Sequence, residues 1–484
     1  MIMQRYRCIP VKIITLAAAT ALLSSCQNPQ SENSSQKQFP VVEEHNIITV
    51  PAQLGGNNSV ENTTTNAFSL PSSAMPLSKR LDFSVGNSFF RNAWVTAPAS
   101  TTARDGLGPF FNTNACQSCH IKDGRGHLPA SPNDNNVSML VRLSVGASDD
   151  PRFSVKNHPT YGEQLQDAAI PGMEPEALLH FEYETHVEYL SDGTAIELRK
   201  PIPIIKTTVY EPLDDRLETS VRLAPPMIGL GYLQALTNEQ ILANADPEDK
   251  DKNGISGKAN QVWDKDQQAS TLGRFGWKAG QPNLKQQNAS AFSGDMGLTS
   301  NLVTHDDCTA AQTHCNNAVN GGSPEVSDNI LNKVTFYTAN LAVPKRRNSQ
   351  ASDVINGNKH FQQIGCAECH QPKWEVGEVT DMPWLSNQTI FPFTDLLLHD
   401  MGEGLADHRT EFLANGREWR TPPLWGIGLT ENVNSEFGFL HDGRARTLTE
   451  AILWHGGEAQ FSKQQFTTMS EQQRSELIAF LKSL

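Results

Sequence analysis

Two pentapeptides, Cys116-Gln-Ser-Cys119-His120 and Cys366-Ala-Glu-Cys369-His370, carry the clearest chemistry in this chain. Two thiols at this spacing can add to the two vinyl groups of one porphyrin. The adjacent histidine can then reach the iron as its proximal ligand. A zinc reading fails, because each cluster supplies three ligands and no matching second half follows nearby. A disulfide reading leaves both histidines without a task. The repeated pentapeptide therefore predicts two covalently bound haem c groups.

Cys308 and Cys315 are of a different kind, since no histidine follows Cys315. In an oxidising compartment a short-loop disulfide is the default, and a redox-active dithiol is the sharper alternative. Asp249, Asp251 and Asn253, followed by Gly254, place oxygens at alternate positions before a turn glycine. That pattern resembles an EF-hand loop and makes calcium a candidate ligand. Asn260 stands where the closing Glu is expected, which leaves an ordinary polar turn as the other reading.

The chain has 484 residues, enough for two to four domains. Its net charge of −14 argues against duplex nucleic acid as a partner. No internal apolar run is long enough to span a membrane. Arg5, Arg7 and Lys12 precede a short apolar stretch, Ile13 to Leu23, which reads as a signal peptide over residues 1–25. Leu23-Ser-Ser-Cys26 resembles the lipobox of bacterial lipoproteins, which implies lipid on Cys26 and no other membrane attachment. Gln27 after Cys26 implies the outer membrane, with the body on the periplasmic side. Residues 26–78 are rich in Gln, Asn, Ser and Thr and read as a flexible tether.

Around the two pentapeptides, Gly357 and Phe361 precede the second, and Gly86 and Phe90 precede the first. Both pairs resemble the first helix of a cytochrome c domain. Ser470-Glu-Gln-Gln473 is a capping-box pattern, and Leu477, Ile478, Leu481 and Leu484 follow at helical spacing, as in a closing helix. The expected fold is mainly α. It consists of two c-type cytochrome domains, residues 79–345 and 346–484, with a β-containing insertion at about 135–260 between the haem motifs. Alternation in Val137–Ser144 and His180–Tyr189 supplies its strands. His127, His158, His180 and His186 in and beside it are candidate resting-state ligands of the first haem.

Further motifs carry a family resemblance. Arg420-Thr-Pro-Pro-Leu, His441-Asp-Gly443 and Leu448-Thr-Glu-Ala resemble bacterial dihaem cytochrome c peroxidases and MauG-like enzymes. Those families place a Met or a Tyr twelve residues after that Gly, on the distal face of the C-terminal haem. Here the position is His455, which implies bis-His ligation with His370; His399 and Met401 are the competing ligands. Phe275-Gly-Trp277, Gln287 and Asp295-Met-Gly resemble the segment lining the family's peroxide pocket. The resemblance implies that Gln287 orients peroxide, Asp295 acts as acid/base and Trp277 bridges the haems. Asp stands for the family's Glu, and the interval from Gln is two residues shorter. With Asp123-Gly-Arg-Gly and Arg417-Glu-Trp-Arg-Thr-Pro, the chain from about residue 80 is similar to the exported dihaem oxidoreductases, also described as predicted thiol oxidoreductases.

That resemblance implies a haem-dependent oxidoreductase of peroxidase type. Electrons would come through the C-terminal haem from a small cytochrome or cupredoxin. The family is often associated with imelysin-like iron-uptake proteins. An electron-transfer dihaem protein without peroxidase activity, and MauG-like oxidation of a partner protein, are the alternatives.

Overall fold

Glycine and proline, 34 and 28 of them, interrupt the chain often enough to keep most helices short. The computed structural model describes residues 46–129, 138–213 and 217–484. The elements used below are helices α1 (Leu77–Arg91), α2 (Cys116–Cys119), α3 (Leu284–Met296), α4 (Asp328–Ala339), α5 (Ser352–Gln363), α6 (Leu448–Leu453) and α7 (Glu471–Ser483). The strands are β1 (Met139–Ser144), β2 (Ala177–Tyr189), β3 (Ala195–Thr207), β4 (Glu218–Leu223), β5 (Leu398–Asp400) and β6 (Glu418–Arg420).

The expectation of a mainly α chain is corrected. Among the described residues the strands form six separate two-stranded antiparallel sheets. The structure also does not divide into two cytochrome domains. The described residues belong to one compact unit, and its largest core runs from Val50 to Leu484 through residues of both expected halves. Short sheets and loops between the helices each bury a few side chains in that common core.

Two helix crossings repeat the same device. A Cβ on Gly86 of α1 would lie 2.7 Å from the Cβ of Tyr337 on α4. A Cβ on Gly357 of α5 would lie 2.7 Å from the Cβ of Phe480 on α7. Each crossing needs a residue without a side chain. Beside each, a phenylalanine faces a motif histidine: Phe90 to His120 at 6.1 Å and Phe361 to His370 at 6.3 Å between ring centroids. The helix α7 begins with the expected capping box, in which Ser470 and Gln473 exchange side-chain and backbone hydrogen bonds.

The insertion supplies β1 paired with β4, with Val141 opposite Val221. It also supplies the long ribbon β2–β3, with His186 opposite Leu198. The far end of the ribbon is strapped to the C-terminal helices. Glu188 pairs with Lys463 at 2.9 Å, Asp192 with Arg474, and the Glu197 carbonyl accepts from Arg446 at 2.6 Å.

The segment expected as a free tether is packed from residue 46 onward. Leu54, Ala67 and Phe68 are buried in the central core. The Val50 carbonyl accepts from Arg346 at 2.7 Å. A polar segment needs few apolar side chains when a neighbouring body supplies the apolar surface. The signal peptide, Cys26 and the start of the tether lie outside the described residues.

Candidate functional site

The first pentapeptide forms α2, and His120 at its end holds Nδ1 2.7 Å from the Pro225 carbonyl oxygen. A ring nitrogen donating to a carbonyl fixes the tautomer and leaves Nε2 as the lone-pair nitrogen, the arrangement of a metal-ligating histidine. Burial pushes the Cys116 thiol up to about 12 and raises Cys119 well above the thiol range. Neither environment favours a thiolate.

Cys116, Cys119, His120, Trp277, Gln287 and Asp295 line one cavity of about 500 Å³, within the roughly 300–1,000 Å³ of cofactor sites. The fold therefore brings the first motif together with all three residues carried over from the peroxidases. Gln287 and Asp295 both lie on α3, capped at its start by the Asn283 side chain and ended by Gly297 at φ 63°. Eight residues are about two helical turns, which puts both side chains on one face. Gln287 Oε1 is buried with no hydrogen-bond partner. Asp295 accepts from Gln164 Nε2 at 3.0 Å and lies 3.9 Å from the Arg142 guanidinium.

Trp277 donates Nε1 to the Leu223 carbonyl at 2.9 Å, and Arg125 lies 5.4 Å from its ring centroid. Its own carbonyl accepts from the Arg420 amide at 2.9 Å. Residues 420–425 then form a wall between the two motif regions. Pro422, Pro423 and Trp425 line the cavity. Thr421 donates its amide to Leu397 at 3.0 Å, and its carbonyl accepts from Thr394 at 2.6 Å. Asp395, next to Thr394, donates its amide to the Cys369 carbonyl at 3.0 Å. Trp277 is thus joined to the second motif by an almost unbroken run of backbone.

At that second motif His370 holds Nδ1 3.0 Å from the Phe393 carbonyl, repeating the tautomer of His120. Burial pushes His370 down to about 4; the Phe393 carbonyl opposes the shift, and the nearby His455 ring adds to it. His455 itself holds Nδ1 2.7 Å from the Ala451 carbonyl in α6, and burial lowers its pKa. Both rings therefore keep the lone pair on Nε2. His399 does not compete: Nε2 meets Asp395 and Nδ1 meets Glu458, each at 2.7 Å, so neither nitrogen is free. Met401 packs against the central core. Burial pushes the Cys366 thiol up to about 12 and raises Cys369.

The remaining candidates lie as follows. Of the four candidate histidines in and beside the insertion, none lines the cavity. His158 accepts two backbone amides, from Thr160 and Tyr161, and His186 sets its ring edge-on to Trp454 at 5.0 Å. The calcium loop turns its oxygens on itself. Asp249 accepts from Gly254 at 2.8 Å, Asp251 from Asn253 at 3.1 Å and Asn253 from Ile255 at 2.7 Å. Among the described residues no group of three His, Cys, Asp or Glu side chains is placed to hold a metal ion. Cys308 and Cys315 are joined as a disulfide.

Arg142 and Asp307 on the cavity lining, and Gln164 behind Asp295, were not found from the sequence. No local motif marks them, because they reach α3 from distant segments. Asp307 stands immediately before Cys308 and carries a raised pKa of about 7, caused first by burial and then by Glu163.

A family model described as "Di-haem oxidoreductase, putative peroxidase" matches residues 51–150 and 162–484. No curated protein sequence matches the chain. Among solved structures, a xenon-pressurised hydrazine synthase of Kuenenia stuttgartiensis is similar at 13% identity. The match covers 83% of this chain and 92% of that one, with a TM-score of 0.31.

Proposed function

Because the chain belongs to the di-haem oxidoreductase family, we propose that it is a c-type dihaem enzyme that reduces peroxide in the cavity at His120, supplied with electrons from the His370 side. The observation that carries this reading is the convergence, on one cavity, of the His120 motif with Asp295 and with the orphaned Oε1 of Gln287.

The residues fit two haems. Cys116 and Cys119 would hold one through their sulfurs, with His120 Nε2 toward the iron. Arg274 in the same wall has a buried Nε without a partner, suited to a cofactor carboxylate. Cys366, Cys369, His370 and His455 would hold the other. Bound haem supplies one-electron iron chemistry whose potential follows its axial ligands. The chain's own residues do the rest: Gln287 orients a peroxide, carboxyl groups beside α3 move protons, and residues 420–425 keep the two sites apart at fixed spacing.

The sequence further supports export and a lipid anchor on Cys26, on the periplasmic side. The net charge of −14 favours a donor protein with a positive face. Electron paramagnetic resonance of the half-reduced protein tests the assignment. One high-spin centre that reacts with peroxide supports it. Two low-spin centres inert to peroxide would leave an electron carrier instead.

A further inference from the structure

Gly294 stands in the last turn of α3, just before Asp295, where nothing in the packing calls for a glycine. A glycine with helical backbone weakens a helix relative to alanine, so its presence needs a reason. At Gly86 and Gly357 the reason is plain, because a Cβ would collide with the Lys333 and Glu476 carbonyl oxygens of the facing helices. At Gly294 a Cβ would meet only Asp307 Oδ2 at 3.7 Å and Arg142 Nη1 at 3.9 Å, both ordinary contact distances. The helix is not loose there: the Gly294 carbonyl accepts from Gln164 at 3.0 Å and from Gln166 at 2.8 Å. Gly294 lines the cavity and leaves room in it that the protein does not fill.

Arg142 reaches that room from β1 and lines the same cavity as Cys116, Cys119 and His120. Its ion pair with Asp295 is long, at 3.9 Å. Among the described residues no acceptor lies within hydrogen-bond distance of its guanidinium. Other arginines of the cavity wall are committed. Arg125 gives Nε to the Gly438 carbonyl at 2.6 Å, Arg409 to the Leu143 carbonyl at 3.2 Å and Arg420 to the Gly276 carbonyl at 2.9 Å. Arg142 is thus a fixed cation whose forked donors find no protein acceptor.

The end of α3 holds this cation beside the first motif. The Asp295 carbonyl accepts the amides of Asn112 at 2.9 Å and Thr113 at 3.0 Å, in the segment that runs into Cys116. Asp295 in turn keeps the guanidinium on the cavity side of α3. A cation with unused donors, facing a small room beside the motif, suits a small oxygen ligand that gains negative charge.

We propose that Arg142 is a catalytic residue of this cavity: it donates hydrogen bonds to the departing oxygen of a hydroperoxide lodged in the room left by Gly294. The assignment rests on the peroxidase-type reading. The O–O bond breaks and its electron pair goes with the departing oxygen, which takes one proton and leaves as water. The other oxygen gains two electrons, one at a time from a reduced electron-carrier protein, and one proton, and leaves as the second water. Both protons come from solvent. Arg142 keeps its own protons and stabilises the negative charge on the departing oxygen until it is protonated.

The test uses the holoprotein with hydrogen peroxide and a reduced one-electron carrier. Carbon monoxide on the reduced holoprotein is a probe that needs no turnover. Arg142→Leu retains haem and lowers kcat/KM by roughly 10²–10³, the usual cost of removing a donor to developing charge. Arg142→Lys keeps the charge without the fork and recovers part of the loss. A cation beside bound carbon monoxide lowers its stretching frequency through its field, so the infrared band moves up in Arg142→Leu. Gly294→Ala fills the room: Tm holds or rises, whereas kcat/KM falls. Wild-type turnover in either Arg142→Leu or Gly294→Ala, or an unmoved band in Arg142→Leu, overturns the proposal. A wild type that binds carbon monoxide but turns over no peroxide sinks the peroxidase reading instead, and the band shift then decides whether Arg142 faces the ligand.

Discussion

The Nδ1 of His455 lies 2.7 Å from the carbonyl oxygen of Ala451, one helical turn earlier in the chain. That bond fixes the ring and commits its other nitrogen to whatever faces it. If His455 is the second axial ligand, His455→Ala converts a low-spin centre to a high-spin one. His455→Met keeps six ligands and raises the reduction potential. Redox titration with resonance spectroscopy reads both. Unchanged spin state in the alanine variant would move the ligand elsewhere. His399→Ala should leave the spectrum alone, yet cost about 3–5 kcal/mol because Asp395 would be buried without its partner.

Gln287 offers a contrast between function and stability. Gln287→Leu removes a buried oxygen that nothing in the protein satisfies. Thermal stability should hold or rise slightly, while kcat/KM for peroxide falls by about five-fold, the worth of one ordinary hydrogen bond. A loss of stability without a loss of rate would show that the side chain is structural.

The glycine crossings predict equal behaviour at two distant places. Gly86→Ala and Gly357→Ala each force a methyl group to within 2.7 Å of a side-chain Cβ on the facing helix. Each should lower stability by about 1–3 kcal/mol. Urea midpoints measure this, and a variant as stable as the wild type would mean that the helices can separate freely.

Glu176 makes stability depend on pH. Burial lifts its carboxyl to about 8, opposed by the Gln166 amide and the Gln312 side chain. An unfolded Glu releases its proton near pH ~4.3. Between those values the folded chain binds more protons than the unfolded one. Stability from this group is therefore full below the lower value and is lost as pH rises toward the upper one. Glu176→Gln should flatten the fall of Tm between pH ~4.3 and about 8. A fall as steep as in the wild type would assign it to other groups.

Trp277→Phe keeps the ring but deletes the bond to the Leu223 carbonyl. Electron passage between the two centres should slow, with haem content unchanged, in rapid-mixing absorbance. An unaltered rate would take Trp277 off the path.

How far the sequence foretold this site depends on the range of each interaction. Cys116, Cys119 and His120 act within one turn, so their spacing alone declares them. Gly357 with Phe361, and Ser470 with Gln473, are equally local and appear as expected. Gln287 and Asp295 were legible because one helix carries both. Gln164 reaches Asp295 across a sequence separation of 131, and no pattern in the chain signals such a meeting. The mainly α expectation failed for a related reason. Motif-bearing helices are conspicuous, whereas two- and three-residue strands leave little periodicity to read. The polar segment after residue 45 was misjudged because its burial depends on surfaces supplied by the rest of the chain.

The strap at the tip of the β2–β3 ribbon carries a consequence for assembly. Its bonds join residues 249, 275 and 282 positions apart. None can form until nearly the whole chain has emerged, and contacts of such range are the slow ones in folding. The chain therefore stays loosely gathered for longest where the ribbon must meet the last helices.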